Sequence, residues 1–312
     1  MVTVATWNVE NLFLPGGPSG PSSEDVYVRK LAYLAATIAA IGADVVCLQE
    51  IGGEEPLADL AAATGGELQH RAIGQPDDRG IRVGLISRFP VLERFDWVDF
   101  PPGGLPRIED PDGRVLTAMG RGALETVLDL GTLAGSSRLR VVTAHLKSKI
   151  LSFPNRRFLP LNEDERARGS GYALTRRAAE AVAVRVQLNR WMPREPDIPV
   201  VLAGDLNDEP AAVTTALLSG PEDGNPNRPD LGDPYRLYNV ADRIPAERAF
   251  SRIYRDRREL IDHIMISRPL LLAGVIADAF VDDLVGITED VDSRRDAVRP
   301  DHAPLWARVN WP

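Results

Sequence analysis

Asp205 and Asn207 stand two residues apart just beyond the apolar run Val200-Val201-Leu202-Ala203. The run reads as a buried strand that breaks at Gly204 into the polar loop Asp205-Leu206-Asn207-Asp208-Glu209-Pro210. While the backbone stays extended, residues two apart point to one side. A carboxylate and an amide presented together can hold a hard cation, a water or a phosphate oxygen. The same residues also fit an Asx-type turn that caps a following helix through Asn207 or Asp208. Other strand-like runs end in comparable groups: Asn8, Glu50, His145 with Lys147, and Asp301 with His302. Asp262 lies inside Leu260-Ile261-Asp262-His263-Ile264-Met265, where a carboxylate needs a partner, and His302 would satisfy it. Three of the four histidines fall in these places; His70, in Gln69-His70-Arg71, has no expected role.

The elements that must position these residues follow from periodicity. Residues 2–7 alternate as a strand with Asn8 at its mouth, and a Pro/Gly/Ser loop runs on to Ser23. Residues 25–42 predict a helix with Leu31, Leu34, Ala35, Ile38 and Ile41 on one face and Gly42 as its stop. Residues 44–50 predict a buried strand, and 56–64 a short helix opened by Pro56. Strands are expected over 81–87, 91–99, 122–130 and 139–147, the last two joined by a turn at Gly135-Ser136-Ser137. Residues 150–171 read as an arginine-rich loop and 172–191 as a helix. Further strands are expected over 200–203, 259–267 and 275–281. Helical crossovers mixed with hairpins predict two packed sheets with helices outside. No linker divides the chain, so one domain over 1–312 is expected.

Composition narrows the function. A formal net charge of -9 argues against a protein that coats nucleic acid with a broad basic face, while permitting a local basic strip. The single cysteine, Cys47, sits in an apolar run and can form no intrachain disulfide. No run reaches the ~18 apolar residues of a membrane span. The first residues enter a strand directly, without a basic region and apolar segment, so no signal peptide is read and a cytoplasmic monomer is expected.

Thr6-Trp7-Asn8-Val9-Glu10, Leu48-Gln49-Glu50, Ala144-His145-Leu146-Lys147-Ser148, Gly204-Asp205-Leu206-Asn207, Ile261-Asp262-His263-Ile264 and Asp301-His302-Ala303-Pro304 occur in an order that resembles the endonuclease/exonuclease/phosphatase superfamily. The resemblance runs over residues 2–309 and extends to Arg82-Val83-Gly84-Leu85-Ile86-Ser87. It implies a deoxyribonuclease I-like, four-layer α/β sandwich of two packed mixed β-sheets flanked by helices. It also implies a divalent metal, Mg2+ or Mn2+, on Glu50 with Asn8 beside it and Asp301 near the metal or its waters. Asp205 would orient or deprotonate the attacking water, Asn207 would donate to a phosphate oxygen, and His145 would contact the phosphate. His302, held by Asp262, would be an acid/base group or a stabiliser of the transition state. Which group takes the proton stays open at this point.

The opening Trp7-Asn8-Val9-Glu10-Asn11 and the extended His145-Leu146-Lys147-Ser148-Lys149 look like bacterial nuclease-type members. They imply DNA phosphodiesters as substrate, and the locally basic Arg156, Arg157, Arg166, Arg168, Arg176 and Arg177, with Lys147, would track the phosphodiester backbone. The same arginines read equally as a solvated segment paired with Glu163, Asp164 and Glu165. The alternative substrate is a small metabolite, sugar phosphate or lipid headgroup. A non-catalytic scaffold would have lost one of Glu50, Asp205, Asn207 or His302, and all four are present.

Overall fold

The structure is a computed structural model describing residues 1–105, 107–131, 138–222, 225–287 and 294–311, with the Arg156 side chain also outside the description. One six-stranded sheet comprises β1 (Val2–Leu12), β2 (Val45–Ile51), β3 (His70–Ile73), β4 (Arg82–Ser87), β13 (Val275–Ala279) and β14 (Leu305–Val309). Its order is β13-β14-β1-β2-β4-β3. The other comprises β5 (Val91–Asp99), β6 (Ala118–Asp129), β7 (Arg138–His145), β8 (Val200–Asp205), β9 (Leu237–Asn239) and β12 (Asp262–Ser267). Its order is β5-β6-β7-β8-β12-β9. A small hairpin, β10 (Arg252–Tyr254) and β11 (Arg257–Glu259), stands apart.

Each sheet contains one parallel pair, β1 with β2 and β7 with β8. Parallel neighbours need a crossover, and helices supply it: α1 (Glu24–Ile41) in the first sheet and α3 (Glu163–Trp191) in the second. Strand alternation sorts the faces. Val2, Val4, Val45, Cys47, Val141, Val201, Ala203, Ile264 and Ile266 fill the space between the sheets. Ala5 and Trp7 face outward onto Leu34 and Ile38 of α1 and onto Leu57 and Leu60 of α2 (Glu54–Ala63). Val142, Ala144, Val200 and Leu202 face Ala181, Val184 and Leu188 of α3. Each buried Val, Leu or Ile contributes about 1.5–3 kcal/mol. The result is helix, sheet, sheet, helix.

The same alternation delivers polar groups into the gap. Two residues beyond Thr6, Thr143 and Ala203 stand Asn8, His145 and Asp205; two before Ile264 stands Asp262. All four lie at one end of the inter-sheet core.

Several boundaries differ from the expectations. β8 runs through Gly204 to Asp205, and a Cβ at Gly204 would lie 1.9 Å from the Ala144 carbonyl oxygen. Only glycine allows β7 and β8 that approach. α3 starts nine residues before position 172, at Glu163. The Asn162 side chain caps it by accepting from the Glu165 amide, and three acids occupy its first turn. Gly169 obscured this start, yet a Cβ there would lie 2.8 Å from the Phe153 ring that packs on it. Residues 259–267 divide into β11 and β12, and β3 was not foreseen. The turn expected at Gly135-Ser136-Ser137 lies outside the described residues. Among the described residues no helix is long and apolar enough to cross a membrane.

Candidate active site

Register brings the chemistry together. Pairing of β7 with β8 sets His145 opposite Asp205, and pairing of β8 with β12 sets Asp262 opposite the same residue. The three form one buried row across the second sheet. His145 Nε2 lies 3.4 Å from Asp205 Oδ2. From the first sheet, Asn8 Nδ2 donates to Asp205 Oδ2 at 3.1 Å and to Glu50 Oε1 at 3.3 Å. Asn8 Oδ1 accepts from the Glu10 amide at 3.0 Å, so both ends of the Asn8 side chain are engaged.

Strict alternation after Cys47 and Gln49 would turn Glu50 toward the helices. A φ of 66° at Glu50 and a register shift between Gln49 and Ile51 re-aim it toward Asn8. Glu10, Asn11 and Asn207 also have positive φ, at 48°, 54° and 55°. Such conformations cost about 1–3 kcal/mol each and persist where the surroundings enforce them. Here they cluster at the strand mouths that form the site.

His302 arrives on the segment before β14. Its carbonyl accepts from Trp7 Nε1 at 2.8 Å, and its Nδ1 lies 2.6 Å from Asp262 Oδ2. Its Nε2 is 4.0 Å from Asp205 Oδ2. Burial alone would lower the His302 pKa, but the fields of Asp262, Asp301 and Asp205 and the Asp262 hydrogen bond together raise it to about 10. Burial, with Asp262 nearby, pushes Asp205 up to about 7. Burial and then the Arg121 charge hold His145 well below the usual histidine range, so it is neutral. His145 Nδ1 and Asp262 Oδ1 are buried without a hydrogen-bond partner among the described residues.

The remaining expected residues divide. The Asn207 amide N–H donates to Asp205 Oδ1 at 3.0 Å, an Asx-type turn that leaves Asn207 buried beside the row. Its Nδ2 donates to the Leu146 carbonyl at 3.0 Å and keeps a second N–H. Neither Asn207 nor Asp208 caps α4 (Val213–Ser219), whose N-cap is Ala212. Asp301 reaches the mouth through its backbone, donating to Glu10 Oε2 at 3.0 Å, while its carboxylate lies 3.8 Å from Arg252 Nε.

Lys147 is tied to its own loop. Its ammonium donates to the carbonyls of Ser148 and Ile150, and burial together with Arg121 and Arg176 pushes it down to about 7. Arg157 pairs with Glu165 at 2.5 Å, in the manner of the paired-segment reading. Arg166 pairs with Glu163, Arg176 with Glu180 and Arg177 with Asp208. The Arg156 side chain lies outside the described residues.

Sequence reasoning missed several groups. Glu10 lay in a quoted motif, two residues after Asn8, and that spacing was its signal. Arg294, which forks onto Glu10, stands in no pattern. Arg121 donates to the Leu146 carbonyl at 3.3 Å beside Asn207. His263 is wholly buried and links Asn239 to the Asp208 carbonyl, bracing the loop after β8.

Two places could take a cation. Among the described residues, the acid/histidine trio with ligand atoms within 4.8 Å of one another is Asp205, Asp262 and His302. Its short His302–Asp262 bond favours a proton there rather than a metal. Glu50 fits a hard cation better. Its oxygens each accept one neutral donor, Asn8 Nδ2 and the Asn11 amide, which leaves each a free lone pair. No described Lys, Arg or His nitrogen lies within 4.0 Å of it. The NH2 group of Asn8 faces both carboxylates and so positions Glu50 and Asp205.

Residues 5–284 match the Endonuclease/Exonuclease/phosphatase family. No curated protein matches the chain significantly. In structure the chain is similar to truncated TDP2 from Caenorhabditis elegans, with 14% identity, 99% of this chain and 97% of that one covered, and a TM-score of 0.60. It is similar to an endonuclease/exonuclease/phosphatase from Bacteroides vulgatus, with 15% identity, coverage of 100% and 99%, and a TM-score of 0.59. It is also similar to the 3'-5' exonuclease NExo from Neisseria meningitidis, with 18% identity, coverage of 99% and 100%, and a TM-score of 0.56. These likenesses speak for the fold, and the family match covers most of the sequence. The chain therefore belongs to the Endonuclease/Exonuclease/phosphatase family, a family of divalent-metal-dependent phosphoester hydrolases.

Proposed function

We propose that the chain hydrolyses phosphodiesters, with DNA as the substrate class and Mg2+ or Mn2+ as the cation, and that residues 1–312 act as one domain. The observation that carries this reading is the placement of Asp205. It is held by Asn8 and faces His145 on one side and the His302–Asp262 pair on the other. A group with a pKa near the working pH is the best proton acceptor. Asp205, at about 7, meets that condition, whereas His302, at about 10, keeps its proton.

In this reading Asp205 takes the proton of the attacking water. His302 stays an imidazolium and turns Nε2 toward the charge that builds on phosphorus, with Asp262 fixing its ring. Neutral His145 contacts the phosphate or leaving oxygen. Asn207 offers its spare N–H to a non-bridging oxygen. Glu50 would hold the cation, with Asp301 near its waters. When bound, the ion supplies Lewis acidity toward a phosphate oxygen.

One observation favours a smaller substrate. Four of the arginines expected to track a DNA backbone, Arg157, Arg166, Arg176 and Arg177, are paired with acids at Glu165, Glu163, Glu180 and Asp208. The test is a substrate panel with Mg2+, Mn2+ or chelator: supercoiled plasmid, linear DNA, bis(4-nitrophenyl) phosphate and 4-nitrophenyl phosphate. Cation-dependent cleavage of plasmid and of the diester is expected. Cleavage of the small esters alone would replace DNA with the second reading. Cleavage of the monoester alone would overturn phosphodiester hydrolysis.

A further inference from the structure

We infer that Arg294 is a built-in cation for Glu10 and restricts the acidic mouth to a single divalent ion, held at Glu50. The inference rests on the reading of Glu50 as the cation-holding carboxylate. It adds the number of ions and the residue that sets that number.

Glu10 and Glu50 both lie at this mouth, but their surroundings differ. Arg294 Nε donates to Glu10 Oε1 at 2.6 Å and Nη2 to Glu10 Oε2 at 2.6 Å, a two-pronged contact. The Asp301 amide fills the second lone pair of Oε2. A guanidinium matches a carboxylate in both shape and charge. Glu10 is thus neutralised in place, with one lone pair left. Among the described residues, Glu50 accepts hydrogen bonds from the neutral N–H groups of Asn8 and Asn11 alone. The buried ammonium of Lys30 is directed at the Glu10 carbonyl oxygen rather than at either carboxylate.

Arg294 is also held from behind. Its Nη2 donates to the Arg299 carbonyl at 2.9 Å. Its neighbour Arg295 donates to the carbonyls of Gly20 and Gly17 at 2.9 and 3.0 Å. Asp296 accepts from the Ser22 amide at 2.7 Å and from the Ser22 hydroxyl at 2.6 Å. Residues 294–296 are therefore clasped to the loop after β1. A metal ion at Glu10 would have to displace a cation that the fold fixes there.

The test counts ions directly, by the loss of the free Mn2+ electron paramagnetic resonance signal on titration of the full chain. One Mn2+ per chain is expected natively, two for Arg294→Gln, and one again for Arg294→Gln combined with Glu10→Gln. Two ions in the native chain, or one in a folded Arg294→Gln chain, would overturn the inference and leave Glu50 as the cation site. No Mn2+ uptake by the native chain would overturn the Glu50 reading and this inference with it. If Arg294→Gln fails to fold, Glu10→Gln alone decides. Native Mn2+ affinity within about threefold supports the inference, and a tenfold loss, about 1.4 kcal/mol, would make Glu10 a ligand and overturn it.

Discussion

Strand β7 carries a buried polar side chain near each end, and the two are built to opposite rules. Near its start Arg140 lies between Glu125 of β6 and Glu195, opposite charges that balance its own although the Glu125 oxygens make no well-formed hydrogen bond. At its finish His145 adjoins Asp205, and two carboxylates, Asp205 and Asp262, crowd His302. There His145 Nδ1 and Asp262 Oδ1 have no hydrogen-bond partner among the described residues. An unsatisfied buried polar group costs about 1–3 kcal/mol. One end of the strand is thus held by balanced opposite charges. The other tolerates instability in order to hold protons and donors where a phosphate can meet them.

The comparison breaks most visibly through activity at the second end. Replacing His302 with Gln should lower phosphodiester hydrolysis on the order of 10²–10³-fold, while urea denaturation still shows a folded chain. A loss below threefold would remove His302 from the chemistry. At the first end the sign reverses. Arg140→Ala should leave turnover unchanged but cost about 3 kcal/mol of stability, since it strands the wholly buried Glu125. Lost turnover with stability intact would erase the distinction between the ends.

Proton linkage gives two finer tests, both run with chelator. The His302 pKa is raised in the fold, so its pairing with Asp262 stabilises fully below about 6.5 and is lost as pH rises through about 10. The stability gap between the native chain and Asp262→Asn should therefore narrow between pH 6 and pH 10. A constant gap would contradict the ion pair. Asp205 is also raised, to about 7, but as an acid. Its contribution is present below about 4 and lost as pH rises through 7. Asp205→Asn should then stabilise the chain on the order of 1 kcal/mol above pH 7 and by nothing near pH 4. Destabilisation at pH 8 would show that the carboxylate is a structural partner.

Much of this arrangement was legible in the sequence because alternation projects directly into space. Val200–Ala203 buries alternate faces, so the position of Asp205 follows from Val201 and Ala203. Asn8 and His145 follow by the same count. Glu50 shows where the count fails, since a left-handed residue turned it and no pattern announces that conformation in a glutamate. The start of α3 was hidden by Gly169-Ser170-Gly171, which read as loop although Asn162 and the acids after it were a capping signal. Arg294 was illegible for a different reason. It acts from 284 positions away on Glu10, and only the fold makes them neighbours.

The central claim is that Asp205 activates water at a cation-dependent site. Single-turnover nicking of supercoiled plasmid, comparing the native chain with Asp205→Asn in Mg2+ or Mn2+, tests it most directly. The native chain is expected to nick only with cation, and a folded Asp205→Asn chain to be slower by ~10³-fold. Cation-dependent nicking at the native rate by Asp205→Asn would contradict it.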